Sequence, residues 1–179
     1  MRINFLGGPG SGKSSTAAWL FSELKRDNIS VELVSEFCKT WAIEGRKFEK
    51  YDQVYFFGQQ MQAEYRNLKN GIKNTITDSP ILLAAIYTNH YYGAKISKPL
   101  FELSREFDKE YPCINIFLDR SDKKYINEGR YENHEQAIKM DLEIKSKAIY
   151  EYEDGKQLFF ADYKSREKIK ELVYKYIEK

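Results

Sequence analysis

Eight consecutive residues near the start of the chain, Gly7-Gly8-Pro9-Gly10-Ser11-Gly12-Lys13-Ser14, constrain its fold more than any other feature. They fit the pattern G-x-x-x-x-G-K-[ST] at every fixed position. Arg2–Leu6 before them reads as a short apolar strand, and from Lys13 to Asp27 the residues Ala17, Leu20, Phe21 and Leu24 recur at helical spacing. Strand, glycine-rich turn and helix together make a cradle for phosphate. The glycines let successive backbone N–H groups point inward, and the helix N-terminus adds partial positive charge. In such a cradle Gly8, Pro9, Gly10, Ser11, Gly12, Lys13, Ser14 and Ser15 form a nucleotide-binding loop. Lys13 reaches the β and γ oxygens, and the Ser14 hydroxyl ligates Mg²⁺, so the ligand implied is ATP with Mg²⁺.

The rest of the chain repeats the strand–helix alternation. Ile29–Val34 is a β-branched strand ending at Ser35–Glu36. Asp52 reads as the N-cap of a long helix to about Leu68, with Asn70–Gly71 as its stop. Asn74–Thr77 is a third strand, broken by Asp78-Ser79-Pro80, and helices follow near Ile81–Tyr91 and Pro99–Lys109. Cys113–Leu118 is a fourth strand, and residues 119–133 are polar and irregular. The next helix carries Ile138, Leu142 and Ile149 on one face, Leu158–Ala161 is a fifth strand, and Ile169, Leu172, Val173, Tyr176 and Ile177 stripe a last helix. This alternation implies an α/β fold with a parallel sheet, right-handed crossovers and helices on both faces. Ligands of such sheets bind beyond the carboxyl ends of the strands. The ends at Gly7–Ser14, Glu36, Asp78 and Asp119–Arg120 are therefore expected to converge on one edge.

Bulk properties narrow the setting. The 179 residues suit one α/β domain, and no repeat, low-complexity segment or Pro/Gly linker marks a boundary within 1–179. A net charge of +2 gives no global attraction to nucleic acid or to a membrane surface. No apolar run approaches the roughly 18–20 residues of a membrane span, and no signal-peptide pattern opens the chain. Cys38 and Cys113 lie far apart without metal-type spacing and read as two buried free thiols, suited to a cytoplasmic setting. The isolated His90 and His134 have no metal partners at ligand spacing.

With the loop, Glu36, Ile76-Thr77-Asp78-Ser79-Pro80 and Glu128-Gly129-Arg130, the sequence resembles the nucleoside and nucleotide kinase branch of P-loop proteins over essentially its full length. More narrowly, it looks like the small kinases often encoded by bacteriophages, which are similar to nicotinamide riboside kinase domains and thymidylate kinases. The stretch Val31-Glu32-Leu33-Val34-Ser35-Glu36-Phe37-Cys38-Lys39 contributes to that likeness. The resemblance implies a three-layer P-loop sandwich with five parallel strands in the order 2-3-1-4-5. It also implies an arginine-bearing lid, at about 119–133.

That likeness assigns expected roles. A carboxylate at the Asp78 position orients Mg²⁺ or its water, although Asp before Ser-Pro is also a common helix start. Glu36 can contact an acceptor hydroxyl as general base. Arg120 and Arg130 bracket the lid and can close over the charge that spreads on a phosphoryl group in transfer. Arg46, with Lys39 as a weaker option, is placed to bind an acceptor phosphate. Tyr55 and Gln59 share a face of the long helix where a ring and an amide could read a base. The expected activity is transfer of the γ-phosphoryl group of ATP to a nucleoside or a (deoxy)nucleoside monophosphate. Two rivals stand beside it: a kinase acting on a nucleic-acid terminus or modified base, and an NTPase with water as acceptor. A homodimer is left open.

Overall fold

The computed structural model describes residues 1–120, 125–152 and 157–177. Five parallel strands, β1 (Arg2–Leu6), β2 (Val31–Val34), β3 (Asn74–Thr77), β4 (Cys113–Asp119) and β5 (Leu158–Asp162), form one sheet in the order β2-β3-β1-β4-β5. This is the P-loop kinase α/β arrangement. Among the described residues seven helices accompany them: α1 (Lys13–Arg26), α2 (Cys38–Ile43), α3 (Asp52–Lys69), α4 (Ile81–Tyr92), α5 (Ala94–Glu110), α6 (His134–Glu151) and α7 (Arg166–Tyr174). Among the described residues, no helix is long and apolar enough to cross a membrane.

The strand sequences explain their places. β1 and β3 are buried along their whole length, and β4 is buried up to its last residue, as inner strands covered on both faces must be. The outer strands β2 and β5 are only partly covered. On one face Ile3, Phe5, Ile76, Ile114 and Ile116 pack with Ala17, Leu20 and Leu24 of α1 and Ile169 and Val173 of α7. The other face alternates in polarity: Arg2, Asn4, Thr75, Thr77 and Asn115 are buried there beside Leu6 and Phe117. On this side lie the largely apolar α4, with α3, α5 and α6 around it.

Arg2 requires special provision, because its side chain is 1% exposed. It donates to Glu64 of α3 at 3.0 Å, to Asp108 of α5 and to the Tyr111 carbonyl, and it lies over the Phe107 ring. Tyr152 donates to the second oxygen of Asp108. Glu64→Ala would leave Arg2 its pairing with Asp108 but strand the Arg2 Nη1 donors, so it is expected to lower stability by about 1–3 kcal/mol in urea unfolding, with phosphate-loop function retained in the folded fraction.

Four expectations are corrected. Asp52 is not the N-cap of α3, because Tyr51 holds that position; Asp52 begins the helix and its carboxylate accepts the Glu49 N–H instead, closing the preceding turn. Helix α5 starts at Ala94 rather than Pro99, since Gly93 ends α4 and opens α5 in one residue and leaves Pro99 inside the second helix. Helix α6 buries Ala137, Met140, Ile144 and Ala148, while Ile138, Leu142 and Ile149 face outward, Leu142 at 67% exposure. The inner face is the one that meets the loop and the α4 side of the core: a Cβ on Gly8 would lie 2.8 Å from the Ala137 carbonyl, and Met140, Ile144 and Ala148 pack into the cluster that α4 forms. Cys113 is buried as expected, its thiol pushed up to about 12 by desolvation, but Cys38 is half-buried and lines a cleft.

Candidate functional site

Strand order brings four chain segments together at the carboxyl edge of the sheet. The loop Gly7–Ser14 follows β1, Glu36 follows β2, Asp78 follows β3 and Arg120 follows β4. Lys13 is their common neighbour. Burial pulls its ammonium pKa down, while the charges of Glu36, Asp78 and Asp141 push it up. It donates to the Gly7 and Gly8 carbonyls at 2.7 and 2.9 Å. Gly12 sits at φ 102 as the N-cap of α1, a left-handed conformation that L side chains rarely adopt, and a Cβ there would also meet Tyr163 at 2.9 Å.

A cleft of about 280 Å³ runs from this loop across the strand ends. Pro9, Gly10, Gly12, Lys13, Ser14 and Ser15 line one end, whereas Gly8 and the buried Ser11 lie behind the lining. Glu36 stands on the wall next to Lys13; desolvation raises its pKa, with Lys13 and the Cys38 thiol opposing. The Cys38 thiol donates to Glu36 at 3.1 Å. Asp78 is 5% exposed, and its Oδ1 has no hydrogen-bond partner among the described residues. It does not cap α4, because Pro80 occupies the N-cap position without a side-chain bond. Asp78 is not itself part of the lining, which takes in its neighbour Ser79; its orphaned carboxylate oxygen and the cleft-lining Ser14 hydroxyl are the oxygens here that suit a hard cation. Among the described residues no cluster of three His, Cys, Asp or Glu could hold a metal alone.

The two arginines of the expected lid are placed differently. Arg130 lines the cleft, with the Tyr125 ring 5.0 Å from its guanidinium. Arg120 lies outside the lining, braced on the loop by Asp141 and the Pro9 carbonyl. The Nη1 of each is buried without a hydrogen-bond partner among the described residues. Within the expected lid, residues 121–124 lie outside the described residues. The end of that segment docks across the cleft: Tyr91 of α4 donates to Glu132, Tyr131 donates to the Arg46 carbonyl, and Phe48 packs edge-on to Tyr91 and Tyr131.

Three expected acceptor residues fall outside the cleft lining. Arg46 is turned to solvent, paired with Glu44 at 2.7 Å and lying over Trp41, so Lys39 is the basic residue of that region that lines the cleft. Tyr55 and Gln59 are on the exposed side of α3, Tyr55 packed edge-on to Phe37. The inward face of α3 is Gln53, Phe56 and Gln60, at i, i+3 and i+7. Gln60 is engaged structurally, accepting from the Phe37 N–H at 3.3 Å and donating to Thr77 at 3.1 Å. Sequence reasoning also missed Tyr87, Glu132 and Asp141, none of which carries a local motif.

No curated protein matches the chain. Among solved structures, deoxyadenosine kinase from M. mycoides with the products dCMP and a flexible dCDP bound aligns at TM-score 0.59 and 15% identity, over 98% of this chain and 97% of that one. The same enzyme with dATP bound aligns at TM-score 0.59 and 18% identity, over 98% of each chain. At such identities the likeness is one of fold. Residues 2–153 match a family described as an AAA domain, and with that match spanning most of its length the chain belongs to the AAA domain family.

Proposed function

We propose that this protein is an ATP-dependent phosphotransferase that moves the γ-phosphoryl group onto a hydroxyl of a nucleoside. One observation carries the reading: a single cleft joins a phosphate cradle to a carboxylate and then to a slot of rings and amides. Lys13 and the loop N–H groups bind the donor phosphates, and Arg130, which lines the same cleft, adds a second cation. Ser14 and Asp78 would hold magnesium brought with the nucleotide, and the ion would supply neutralisation of phosphate charge there. Glu36 beside Lys13 takes the acceptor proton, which puts the attacking oxygen and the donor at the same point of the cleft. Phe37, Phe48, Phe56 and Tyr87 supply ring surface for a base, and Gln53, 5% exposed, is the amide available to read its edge.

The charge pattern favours a hydroxyl over a monophosphate acceptor. Glu36, Glu128 and Glu132 line the cleft beyond the loop, against Lys39 and Arg130, and the Arg46 guanidinium is turned away. A phosphate dianion would meet net negative charge there. The deoxyadenosine kinase fold match, with small nucleotides bound in the neighbour, supports a ligand of this size.

ADP release with ATP–Mg²⁺ tests the proposal, with nucleosides, nucleoside monophosphates and a short oligonucleotide supplied in turn. Nucleosides are expected to stimulate release. Turnover with monophosphates or oligonucleotide alone would reassign the acceptor, and equal release without acceptor would make water the acceptor. The pH profile gives a second check. Glu36 acts only when ionised, so kcat/KM for the nucleoside is present above its pKa and lost as pH falls through it. Because burial raises that pKa, the acid limb is expected above the ordinary carboxylate range. A profile flat through that region counts against Glu36 as the base.

A further inference from the structure

Behind the phosphate loop, one carboxylate joins three parts of the molecule. Asp141, half-buried on α6, accepts the Gly8 N–H through Oδ1 at 2.6 Å and the Arg120 Nε–H through Oδ2 at 2.6 Å. Arg120 in turn donates from Nη2 to the Pro9 carbonyl at 2.6 Å. Its side chain is 9% exposed and that of Asp141 14%, so the pair is shielded from solvent on the back of the loop. No room is left between them: a Cβ on Gly8 would stand 2.5 Å from Asp141 Oδ1.

Two of the three guanidinium nitrogens of Arg120 are committed by these bonds. The third, Nη1, is buried without a partner and lies 3.3 Å from where a Cβ of Gly10 would be. The Tyr125 ring, 5.6 Å from the guanidinium, lies against the same glycine. A planar guanidinium held at two edges has its third edge fixed. That edge is aimed at the loop. A carboxylate beside an anion-binding loop opposes anion binding by charge, so its placement calls for a compensating role, and orienting a cation supplies one.

We propose that Asp141 is a positioning residue: resting on the phosphotransferase reading above, it holds Arg120 so that Nη1 meets the donor phosphates, and it acts on the reaction through Arg120. Its bond to the Gly8 N–H fixes the Gly7–Gly8 peptide, whose Gly7 carbonyl receives Lys13, so Arg120 and Lys13 are set relative to each other through one peptide unit.

The test combines Asp141→Asn, Arg120→Ala and the double variant in the full-length protein. Asparagine keeps the shape and an oxygen for Gly8, but turns an NH₂ towards Arg120 Nε, donor against donor. Asp141→Asn is expected to lower kcat about 10–100-fold, a fraction of what a lost charge stabiliser costs, with acceptor KM unchanged. In the Arg120→Ala background the same substitution should have no further effect. A kcat equal to the parent's, or an undiminished effect without Arg120, overturns the proposal. A second readout needs no turnover: the Arg120 Nε–H resonance, protected from exchange in the unliganded parent, should lose protection in Asp141→Asn. An unprotected Arg120 Nε–H in the parent overturns the clamp. Failure of the parent to bind ATP–Mg²⁺ with protection intact instead rejects the phosphotransferase reading and leaves the clamp standing.

Discussion

Lys13→Ala is expected to lower phosphoryl transfer by about 10²–10³-fold or more, the loss seen when one preorganised charge stabiliser is removed, while the protein stays folded. The two halves of that result have separate causes. The half-buried Lys13 places its ammonium against the Gly7 and Gly8 carbonyls, and desolvation pulls its pKa down, so the cation contributes little to folding. When phosphates occupy the loop, the same ammonium is the loop's own cation for the charge that grows during transfer, and Arg130, which lines the same cleft, does not replace it. Steady-state kinetics with saturating acceptor, beside a thermal melt, reads both halves at once. Parental turnover would remove Lys13 from the chemistry. A collapse of the melt together with activity would make its role structural.

Glu36→Gln is the second large effect, an expected fall of about 10²–10⁴-fold in kcat, the span of a lost general base. Glutamine keeps the volume and still offers an oxygen to the Cys38 thiol, so the wall of the cleft is preserved. What it cannot do is take a proton from an acceptor hydroxyl. ATP KM should therefore stay near the parent value, since the donor loop is untouched, and the acid limb of the pH profile should disappear with the carboxylate. Arg46→Ala serves as the contrast: its guanidinium is paired with Glu44 outside the cleft, and acceptor KM should not move. If Arg46→Ala raises acceptor KM and Glu36→Gln does nothing, the acceptor carries a phosphate and binds on the other side of Trp41.

The loop and the sheet were legible in the sequence because each is encoded locally. A fixed glycine spacing dictates the cradle, and short apolar runs separated by helical stretches dictate parallel strands. The faces of the helices were less legible. On α3 the period was right, yet Tyr55 and Gln59 face outward while Gln53, Phe56 and Gln60 face the cleft. Spacing gives the width of a stripe, and its direction is set by the packing of the whole element. On α6 Ile138, Leu142 and Ile149 drew attention to the wrong side, because the direction in which the helix packs on the core, burying Ala137, Met140, Ile144 and Ala148, is not written in its own spacing. Asp141 had no sequence signal at all. Its partners, Gly8 and Arg120, are 133 and 21 residues away, and only the fold unites them.

The polar inlay on one face of the sheet bears on how the strands find one another. Asn4 of β1 lies opposite Asn115 of β4, and their amides bond at 2.9 Å across 111 residues of sequence. No tight turn can set the alignment of strands so distant; side chains must do it. Sliding β1 by one residue along β4 would turn Asn4 to the face built from Ile114 and Ile116 and strand both amides, at about 1–3 kcal/mol for each unpaired group. An all-aliphatic pair would accept that slip at little cost. Two buried asparagines thus act as an alignment mark for the strand that delivers the chain into its phosphate loop.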